Sequence, residues 1–212
     1  MSGFVIAVDG PAASGKGTVA QGLAALYGLP YLDTGLLYRA VGIVAQRRHG
    51  EVTEASATAA ASGLDPNVLD DPELRTRAAG ELASQAAVFP GVRQALLKFQ
   101  RDFAAQAGGA VLDGRDIGTV IAPQAPAKLF VTASPEVRAE RRWKQLTGQG
   151  ETVSFEDVLA DIRIRDERDS GRASAPLLRA ADAVLLDTSD KTISQAADAA
   201  RRIVEAARAR RE

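Results

Sequence analysis

The 212-residue sequence contains no cysteine and a single histidine, His49. These two absences rule out a zinc site built on Cys and His, a disulfide framework, a cysteine nucleophile and a histidine-centred catalytic triad. Lysine is also scarce, since it occurs at only five positions, and arginine supplies the rest of the positive charge. Because the planar guanidinium group makes forked contacts with phosphate, the positions of the arginines carry much of the functional information.

Long apolar runs are also missing, and the first ten residues, MSGFVIAVDG, lack the basic segment that opens a signal peptide. No stretch approaches the roughly 18 apolar residues that cross a bilayer, so we expect a cytoplasmic protein with no membrane contact. The 26 Lys and Arg residues are balanced by 27 Asp and Glu residues, which leaves a net charge of -1. This balance lacks the basic field of nucleic-acid binders, so we expect no nucleic-acid partner.

The apolar residues that are present form short Val-, Ile- and Leu-rich runs that alternate with longer amphipathic segments. The runs predict buried parallel strands at residues 4–8, 30–32, 110–112, 128–132 and 183–186. The segments predict helices at residues 16–27, 35–48, 92–107, 135–147, 155–169 and 191–210. This alternation predicts an α/β fold, with a five-stranded parallel sheet covered by helices on both faces.

Four of the predicted strands are followed directly by an aspartate: Asp9, Asp33, Asp113 and Asp187. Ligands of open α/β sheets bind at the carboxyl edge of the strands, where a carboxylate can hold a metal-bound water or cap the next helix. For Asp187 we favour the cap.

The most specific motif, GPAASGKGT, follows the first predicted strand directly. It matches the G-x-x-x-x-G-K pattern of a phosphate-binding loop (P-loop), whose backbone N–H groups surround phosphate oxygens, and Lys16 then reaches the β- and γ-phosphates. The next residue is usually a Ser or Thr that binds magnesium, but here Gly17 precedes the hydroxyl of Thr18. This displacement resembles the nucleoside monophosphate kinases, and it argues against a GTPase or a motor ATPase.

Polar side chains also follow the next strands. Thr34, Tyr38 and Arg39 offer a hydroxyl cap, a phenol and a guanidinium near one helix N-terminus, which suits a second phosphate or an ordinary capped helix. Asp113 is a candidate magnesium ligand together with Thr18, directly or through water, and Arg115 is placed to contact two phosphate groups.

The helix predicted at residues 155–169 begins with apolar positions and continues at the same spacing with Arg165, Asp169 and Arg172. A face that changes from apolar to charged indicates a polar cleft or a charged ligand. Ion pairs within the helix would give the same pattern.

Taken in order, these segments resemble the bacterial cytidylate kinases, through IAVDGPAASGKGT, YLDTGLLYRA, ASQAAVFPGVRQALL, LDGRDIGTVIAP, KLFVTAS with RAERR, and RDERDSGRASAPL. The resemblance covers nearly the whole chain, and LDGRD followed by RDERDSGR is specific within the nucleoside monophosphate kinases. It implies transfer of the γ-phosphate of ATP to CMP or dCMP with Mg²⁺.

The resemblance also implies roles for individual positions. Arg141 would lie near the adenine, and the ATP phosphates would be bound by Gly10, Pro11, Ala12, Ala13, Ser14, Gly15, Lys16, Gly17 and Thr18. The acceptor phosphate would be held by Thr34, Arg39, Arg115 and Arg172, and the ribose by Tyr38, Arg165 and Asp169. Ser84, Arg93 and Asp116 would bind the cytosine, since uracil reverses the donors and acceptors at those edges. The catalytic charges would be those of Lys16, Arg115, Arg165 and Arg172.

A single P-loop kinase domain is expected, with its core at about residues 1–48, 90–142 and 176–212 and a lid at about 143–175. The nucleotide-binding insert, at about residues 49–89, is shorter than in many family members. Residues 49–72 have small side chains and weak periodicity, which predicts a mobile segment without strands. Asp71 would then cap a helix that runs from residue 72 to about 87.

Two alternatives stay open at this point. One is another small-acceptor P-loop kinase, acting on UMP, AMP or shikimate. The other is a nucleotide-gated binding or assembly module that hydrolyses ATP slowly and signals to a partner. We expect a monomer, because no additional apolar surface helix is evident.

Overall fold

The computed structural model describes residues 3–210, which form an α/β fold on a five-stranded parallel sheet of order β2-β3-β1-β4-β5. The strands are β1 (Phe4–Asp9), β2 (Tyr31–Asp33), β3 (Gly109–Gly114), β4 (Ala127–Thr132) and β5 (Val184–Asp187). The fold class and all five predicted strands are confirmed. In the parallel register, Asp9 lies between Gly114 of β3 and Phe130 of β4, so β1 is the central strand.

The helices are α1 (Lys16–Tyr27), α2 (Thr34–His49), α3 (Glu54–Ser62), α4 (Arg77–Ala86), α5 (Pro90–Ala104), α6 (Pro135–Gly148), α7 (Phe155–Ser170) and α8 (Ile193–Ala209). The six helices predicted outside the insert are confirmed, with ends displaced by a few residues. A one-turn π-helix, Ile117–Ile121, follows β3 and was not predicted.

The predicted structure of residues 49–87 is partly wrong. The segment contains no strand, as predicted, but α3 forms within it, capped by Thr53 and buried through alanines such as Ala57 and Ala60. Alanine gives a weak periodic signal, which is why the pattern did not reveal this helix. Two short 3₁₀ helices follow, Pro66–Asp70 and Pro72–Arg75, so the helix predicted from residue 72 is interrupted.

That interruption has a local cause. The Asp71 side chain accepts the N–H of Glu73 and caps the 3₁₀ helix at Pro72–Arg75, as predicted for the start of a helix. The extended backbone of Thr76 then ends this turn, and its side chain accepts the N–H of Ala79 and starts α4. A second N-cap within one predicted helix therefore divides it in two.

The described chain forms two compact units: unit 1 comprises residues 3–32 and 101–210, and unit 2 comprises Asp33–Gln100. In unit 1, Ile6, Val8 and Leu129 of the sheet share one buried core with residues of α1 and α8. A second cluster in unit 1 joins α6 and α7 through Leu146, Val158 and Ile162. In unit 2, α2 packs through Ala40 and Ile43 on Leu74 and Ala79. The predicted core, insert and lid boundaries stay predictions.

Candidate active site

The predicted phosphate loop connects β1 to α1 through a tight backbone turn. A Cβ on Gly10 would lie 2.0 Å from the carbonyl oxygen of Val131, so the adjacent strand leaves room only for glycine. Gly15 is the N-cap of α1 with φ of 86°, and no side chain caps this helix. The first N–H groups of α1 are therefore left for a ligand, and the helix dipole favours an anion there.

Side chains of later elements bind the carbonyl oxygens of this loop. The carbonyl oxygen of Ala12 accepts a hydrogen bond from Arg138 Nη1 (3.3 Å). That of Ser14 accepts from the hydroxyl of Thr188 (2.9 Å) and from Arg141 Nη1 (3.4 Å). The Ser14 hydroxyl, by contrast, is buried and has no hydrogen-bond partner among residues 3–210.

Sequence reasoning placed Arg141 near the donor nucleotide, and the structure does bring this residue to the phosphate loop. Besides the contact to Ser14, its guanidinium donates to the hydroxyl of Thr188 (2.9 Å) and to the carbonyl oxygen of Thr188 (2.7 Å). The contacts of Arg138 and Thr188 with the loop were not predicted from the sequence. A signal existed for Thr188, because it follows Asp187 at the end of a strand, where the predicted fold places ligands.

Lys16, Tyr31 and Asp113 meet at the start of α1. Lys16 Nζ lies 3.9 Å from Asp113 Oδ2, and the Tyr31 hydroxyl donates to Asp113 Oδ1 (2.8 Å). A Cβ on Gly17 would lie 3.7 Å from the same Oδ2, so the first turn of the helix is packed against this carboxylate. The exposed Thr18 belongs to that turn, so the two predicted magnesium ligands lie on neighbouring elements.

Asp9 anchors the segment that follows β3. Its two carboxylate oxygens accept the N–H groups of Ile117 (2.8 Å) and Gly118 (2.7 Å), at the start of the π-helix. Burial, together with a smaller contribution from the nearby Asp116 carboxylate, raises the pKa of Asp9 to about 7, against the effect of these two backbone donors. Asp116, predicted to contact the base, is itself buried directly before the π-helix.

Arg115, Asp169 and Arg172 form a buried cluster of charges. Arg115 Nε donates to Asp169 Oδ2 (2.7 Å), and Arg172 Nη2 lies 3.4 Å from Asp169 Oδ1. Burial raises the pKa of Asp169, but the guanidinium groups of Arg115, Arg165 and Arg172 outweigh that effect and hold it below its usual range. Since Arg115 follows β3, ion pairs within α7 alone do not account for the charged face.

In unit 2, the predicted acceptor residues lie on α2, α4 and α5. The guanidinium of Arg93 lies over the ring of Tyr38 at 5.7 Å, a cation–π contact between two buried side chains. Arg39 donates to the carbonyl oxygen of Leu74 (2.7 Å), a backbone contact that the motif did not predict. Ser84 is buried on α4, as expected for a residue that contacts a ligand or the core.

Two predicted helix caps are wrong. The N-cap of α2 is Asp33, whose carboxylate accepts the N–H of Gly35 (2.9 Å), and Thr34 is the first helical residue. Asp187 accepts the N–H and the hydroxyl of Ser189, while α8 is capped by Thr192. In both cases the carboxylate binds the N–H two residues later, so the length of the following turn decides which residue becomes the cap.

None of the helices described between residues 3 and 210 has the length and the apolar character needed to span a membrane.

Comparison with known proteins identifies relatives for nearly the whole chain. The family model for cytidylate kinase matches residues 6–206. A cytidylate kinase of Caulobacter vibrioides is 69% identical over 209 residues, which cover 98% of each chain. One of Xanthobacter autotrophicus is 65% identical over 208 residues, covering 98% of this chain and all of the relative. An uncharacterized protein of Eubacterium ventriosum shares the fold, with a TM-score of 0.57, 16% identity and coverage of 96% and 98%.

Proposed function

The chain belongs to the cytidylate kinase family, and we therefore propose that it transfers the γ-phosphoryl group of ATP to CMP and dCMP. One structural observation carries this proposal. Arg115 and Arg172 are both oriented by the buried Asp169 carboxylate, in the same unit as the phosphate loop. Phosphoryl transfer needs fixed cations of this kind, because its transition state spreads negative charge over the oxygens of the transferred group.

The donor phosphates bind at residues Gly10–Thr18. The uncapped N-terminus of α1 and the left-handed turn at Gly15 support this assignment, since both leave backbone N–H groups for an anion. Lys16 then contacts the β- and γ-phosphates, while Asp113 limits the directions its ammonium group can take. Arg141, held by Thr188, contacts the adenosine part of ATP.

The acceptor phosphate is held by Thr34, Arg39, Arg115 and Arg172. Tyr38, Arg165 and Asp169 surround the ribose. Supporting observations are the burial of Thr34 at the N-terminus of α2 and the carboxylate-held geometry of Arg115 and Arg172. Arg39 already donates to Leu74, so its phosphate contact uses the remaining N–H groups of the guanidinium.

Arg93, Ser84 and Asp116 recognise the cytosine. Arg93 offers donors to O2 and N3 of the base, and the Ser84 hydroxyl and the Asp116 carboxylate accept from the N4 amino group. All three residues are buried, so a base with reversed donors and acceptors would leave polar groups unpaired. Such unpaired groups cost about 1–3 kcal/mol each, which is enough to discriminate against uracil.

The residues around Lys16 fit a magnesium ion. Among the described residues no group of three or more acidic or histidine side chains is arranged to hold a metal. Mg²⁺ at nucleotide sites is bound mostly by phosphates and water with one or two protein oxygens, and Thr18 and Asp113 provide a hydroxyl and a carboxylate. When bound, the ion would neutralise charge on the β- and γ-phosphates.

No general base is required for this reaction. The acceptor phosphate is anionic at pH 7, so one of its oxygens attacks the γ-phosphorus directly, and the bond from that phosphorus to the bridging oxygen of ADP breaks. Lys16, Arg115, Arg165 and Arg172 hold the two substrates in line and neutralise the equatorial oxygens. Water would compete as nucleophile, so we assign the lid at about residues 143–175 the role of excluding it.

The proposal also covers the setting in which the protein works. The net charge of -1 gives no basic field for nucleic acid, which supports a protein that acts on free nucleotides. We assign it to the cytoplasm, as a monomer that binds neither nucleic acid nor membranes.

Phosphoryl transfer from ATP, measured with CMP, dCMP, UMP, AMP and shikimate side by side, tests this function. We expect CMP and dCMP to give the highest kcat/KM. Lys16→Ala should lower kcat by about 10²-fold, as loss of a transition-state contact does, while the exposed Lys191→Ala control stays at the wild-type rate. A preference for another acceptor contradicts the proposal, and ATP hydrolysis that no acceptor alters would favour the binding-module alternative.

A further inference from the structure

The phosphate loop contains a strained residue at its centre. Ala13 has φ of 58°, one of only two non-glycine residues with positive φ between residues 3 and 210. L-residues avoid this left-handed region, because Cβ approaches the following carbonyl oxygen. Such a conformation persists only where the surrounding structure holds it, and it is concentrated at functional sites.

The carbonyl oxygens on both sides of Ala13 are bound by buried side chains. Arg138 Nη1 donates to Ala12, while its Nε donates to the carbonyl oxygen of Ala133 (2.9 Å) and its two Nη atoms pair with Asp166 (2.9 and 2.5 Å). Thr188 binds the carbonyl oxygen of Ser14 from the other side, at 2.9 Å. The Ala12–Ala13 peptide and the Ser14–Gly15 peptide therefore have fixed directions, and the Ala13–Ser14 peptide lies between them.

The hydrogen bonds of Thr188 show which way its hydroxyl proton points. Thr188 is buried, and its own N–H already donates to the carbonyl oxygen of Thr132 (2.8 Å). Arg141 Nη1 donates into the hydroxyl oxygen (2.9 Å). A hydroxyl group has one proton to give, and two carbonyl oxygens lie near it, that of Ser14 (2.9 Å) and that of Thr132 (3.0 Å). The Thr132 oxygen already accepts the N–H of Thr188, whereas no backbone N–H donates to the Ser14 oxygen among the described contacts, so the proton points to Ser14.

We propose that Thr188 and Arg138 are positioning residues that hold the phosphate loop in its phosphate-binding conformation by fixing the two carbonyl oxygens that flank strained Ala13. Without the Thr188 hydroxyl, the Ser14–Gly15 peptide is held less firmly. The backbone between Ala12 and Gly15 can then relax, and Ala13 with it, towards an unstrained conformation in which the loop N–H groups no longer converge. The measured affinity for a triphosphate is then lower, in proportion to the fraction of molecules whose loop is still in the binding conformation. The inference rests on the proposed function only for the identity of the ligand, ATP.

A compensating substitution separates this role from a general structural one. Glycine adopts the left-handed region without strain, so Ala13→Gly keeps the loop in shape even when the hydroxyl is missing. The methyl group of Ala13 packs against the cluster of α6 and α7, so its loss is a small packing change. Rescue of a Thr188 variant by Ala13→Gly is therefore expected only if Thr188 acts by holding Ala13.

The experiment measures the dissociation constant of a non-hydrolysable ATP analogue by calorimetry, without acceptor, for single and double variants. Thr188→Val should weaken binding about tenfold, or about 1.4 kcal/mol. Thr188→Ser should bind like the wild type. Ala13→Gly sets its own baseline, and adding Thr188→Val to it should weaken binding by less than about threefold. Thr58→Val is the matched control, since its buried hydroxyl makes no hydrogen bond.

Normal binding by Thr188→Val, or a Thr188→Val effect that is as large in the Ala13→Gly background as in the wild type, overturns the inference. If Thr188→Val does not fold, as judged by its melting temperature, Thr188→Ala with and without Ala13→Gly replaces it under the same criteria. Because no acceptor is present, the proposed function can fail separately: a wild type that binds the analogue but does not phosphorylate CMP refutes the function and leaves this result standing.

Discussion

Asp9→Asn should change how the stability of the protein depends on pH. Burial raises the pKa of Asp9 from 3.8 to about 7, although two backbone N–H groups bind its carboxylate. Between these two pH values the folded protein keeps a proton on Asp9, whereas the unfolded chain has lost it. The folded state therefore binds more protons, and its stability falls as the pH rises through this window and then levels off above about pH 7.

The size of the effect follows from the width of the window. The pKa values of 3.8 and about 7 are about three units apart, and each unit corresponds to about 1.4 kcal/mol. From pH 4 to pH 8 the wild type should thus lose about 4 kcal/mol of stability relative to Asp9→Asn, which does not titrate there. Asp9→Asn will also lower the free energy of unfolding by an amount that does not depend on pH, because the Asn amide places its N–H groups against one of the two backbone N–H donors and leaves that donor without an acceptor.

Urea denaturation at one-unit steps from pH 4 to pH 8 measures the difference between the two proteins. Asp187→Asn is the control with the opposite sign. Hydrogen bonds from the Ser189 hydroxyl and N–H lower the pKa of Asp187, so its contribution is complete above its unfolded pKa and is lost only as the pH falls further. A wild-type-minus-Asp9→Asn difference that stays flat from pH 4 to pH 8 would show that Asp9 ionises normally and would refute the reasoning.

Three further results are expected. Asp169→Asn should lower the free energy of unfolding by roughly 3 kcal/mol, because Arg115 and Arg172 lose the carboxylate that neutralises them. Urea denaturation at neutral pH measures this, and a loss under about 1 kcal/mol would contradict it. Arg93→Met keeps an apolar side chain over Tyr38 but removes the hydrogen-bond donors to the base. The KM for CMP should therefore rise about tenfold or more while the KM for ATP stays constant. Equal changes in both KM values would refute a role of Arg93 in base recognition. Excess EDTA should abolish turnover until Mg²⁺ is restored, without changing the melting temperature of the ligand-free protein, and turnover that persists in EDTA would exclude the proposed magnesium role.

The four aspartates at strand ends show how far sequence patterns reach. Each was predicted to follow a buried strand directly, because apolar runs identify buried strands. Asp9, Asp33 and Asp187 are in fact the last residues of β1, β2 and β5, while Asp113 is the last residue but one of β3. Their roles could not be separated from the pattern, since each depends on which donors the fold places nearby. Asp9 accepts N–H groups from residues more than a hundred positions away, whereas Asp33 accepts from Gly35 two residues later.

Part of the site was also predictable. The phosphate loop was found because its glycines serve a backbone conformation, which leaves a strict spacing in the sequence. The contacts of Arg138 and Thr188 leave no such spacing, because their partners are carbonyl oxygens that any residue carries. The left-handed backbone of Ala13 was not predictable for a related reason. An alanine with φ of 58° cannot be told from any other alanine in a sequence.

The charged groups of unit 1 suggest how a protein with a net charge of -1 can hold polyanionic ligands. Lys16 lies beside Asp113, Asp169 lies between Arg115 and Arg172, and Arg138 is paired with Asp166. A carboxylate next to a cation reduces the field that attracts phosphate from a distance, but it also limits the directions in which the donors point. Fixed donors discriminate between the ground state and the transition state better than net charge does, because they favour charge only at defined positions. We conclude that pairing the cations with carboxylates weakens the long-range attraction of phosphate but fixes the directions of the hydrogen-bond donors.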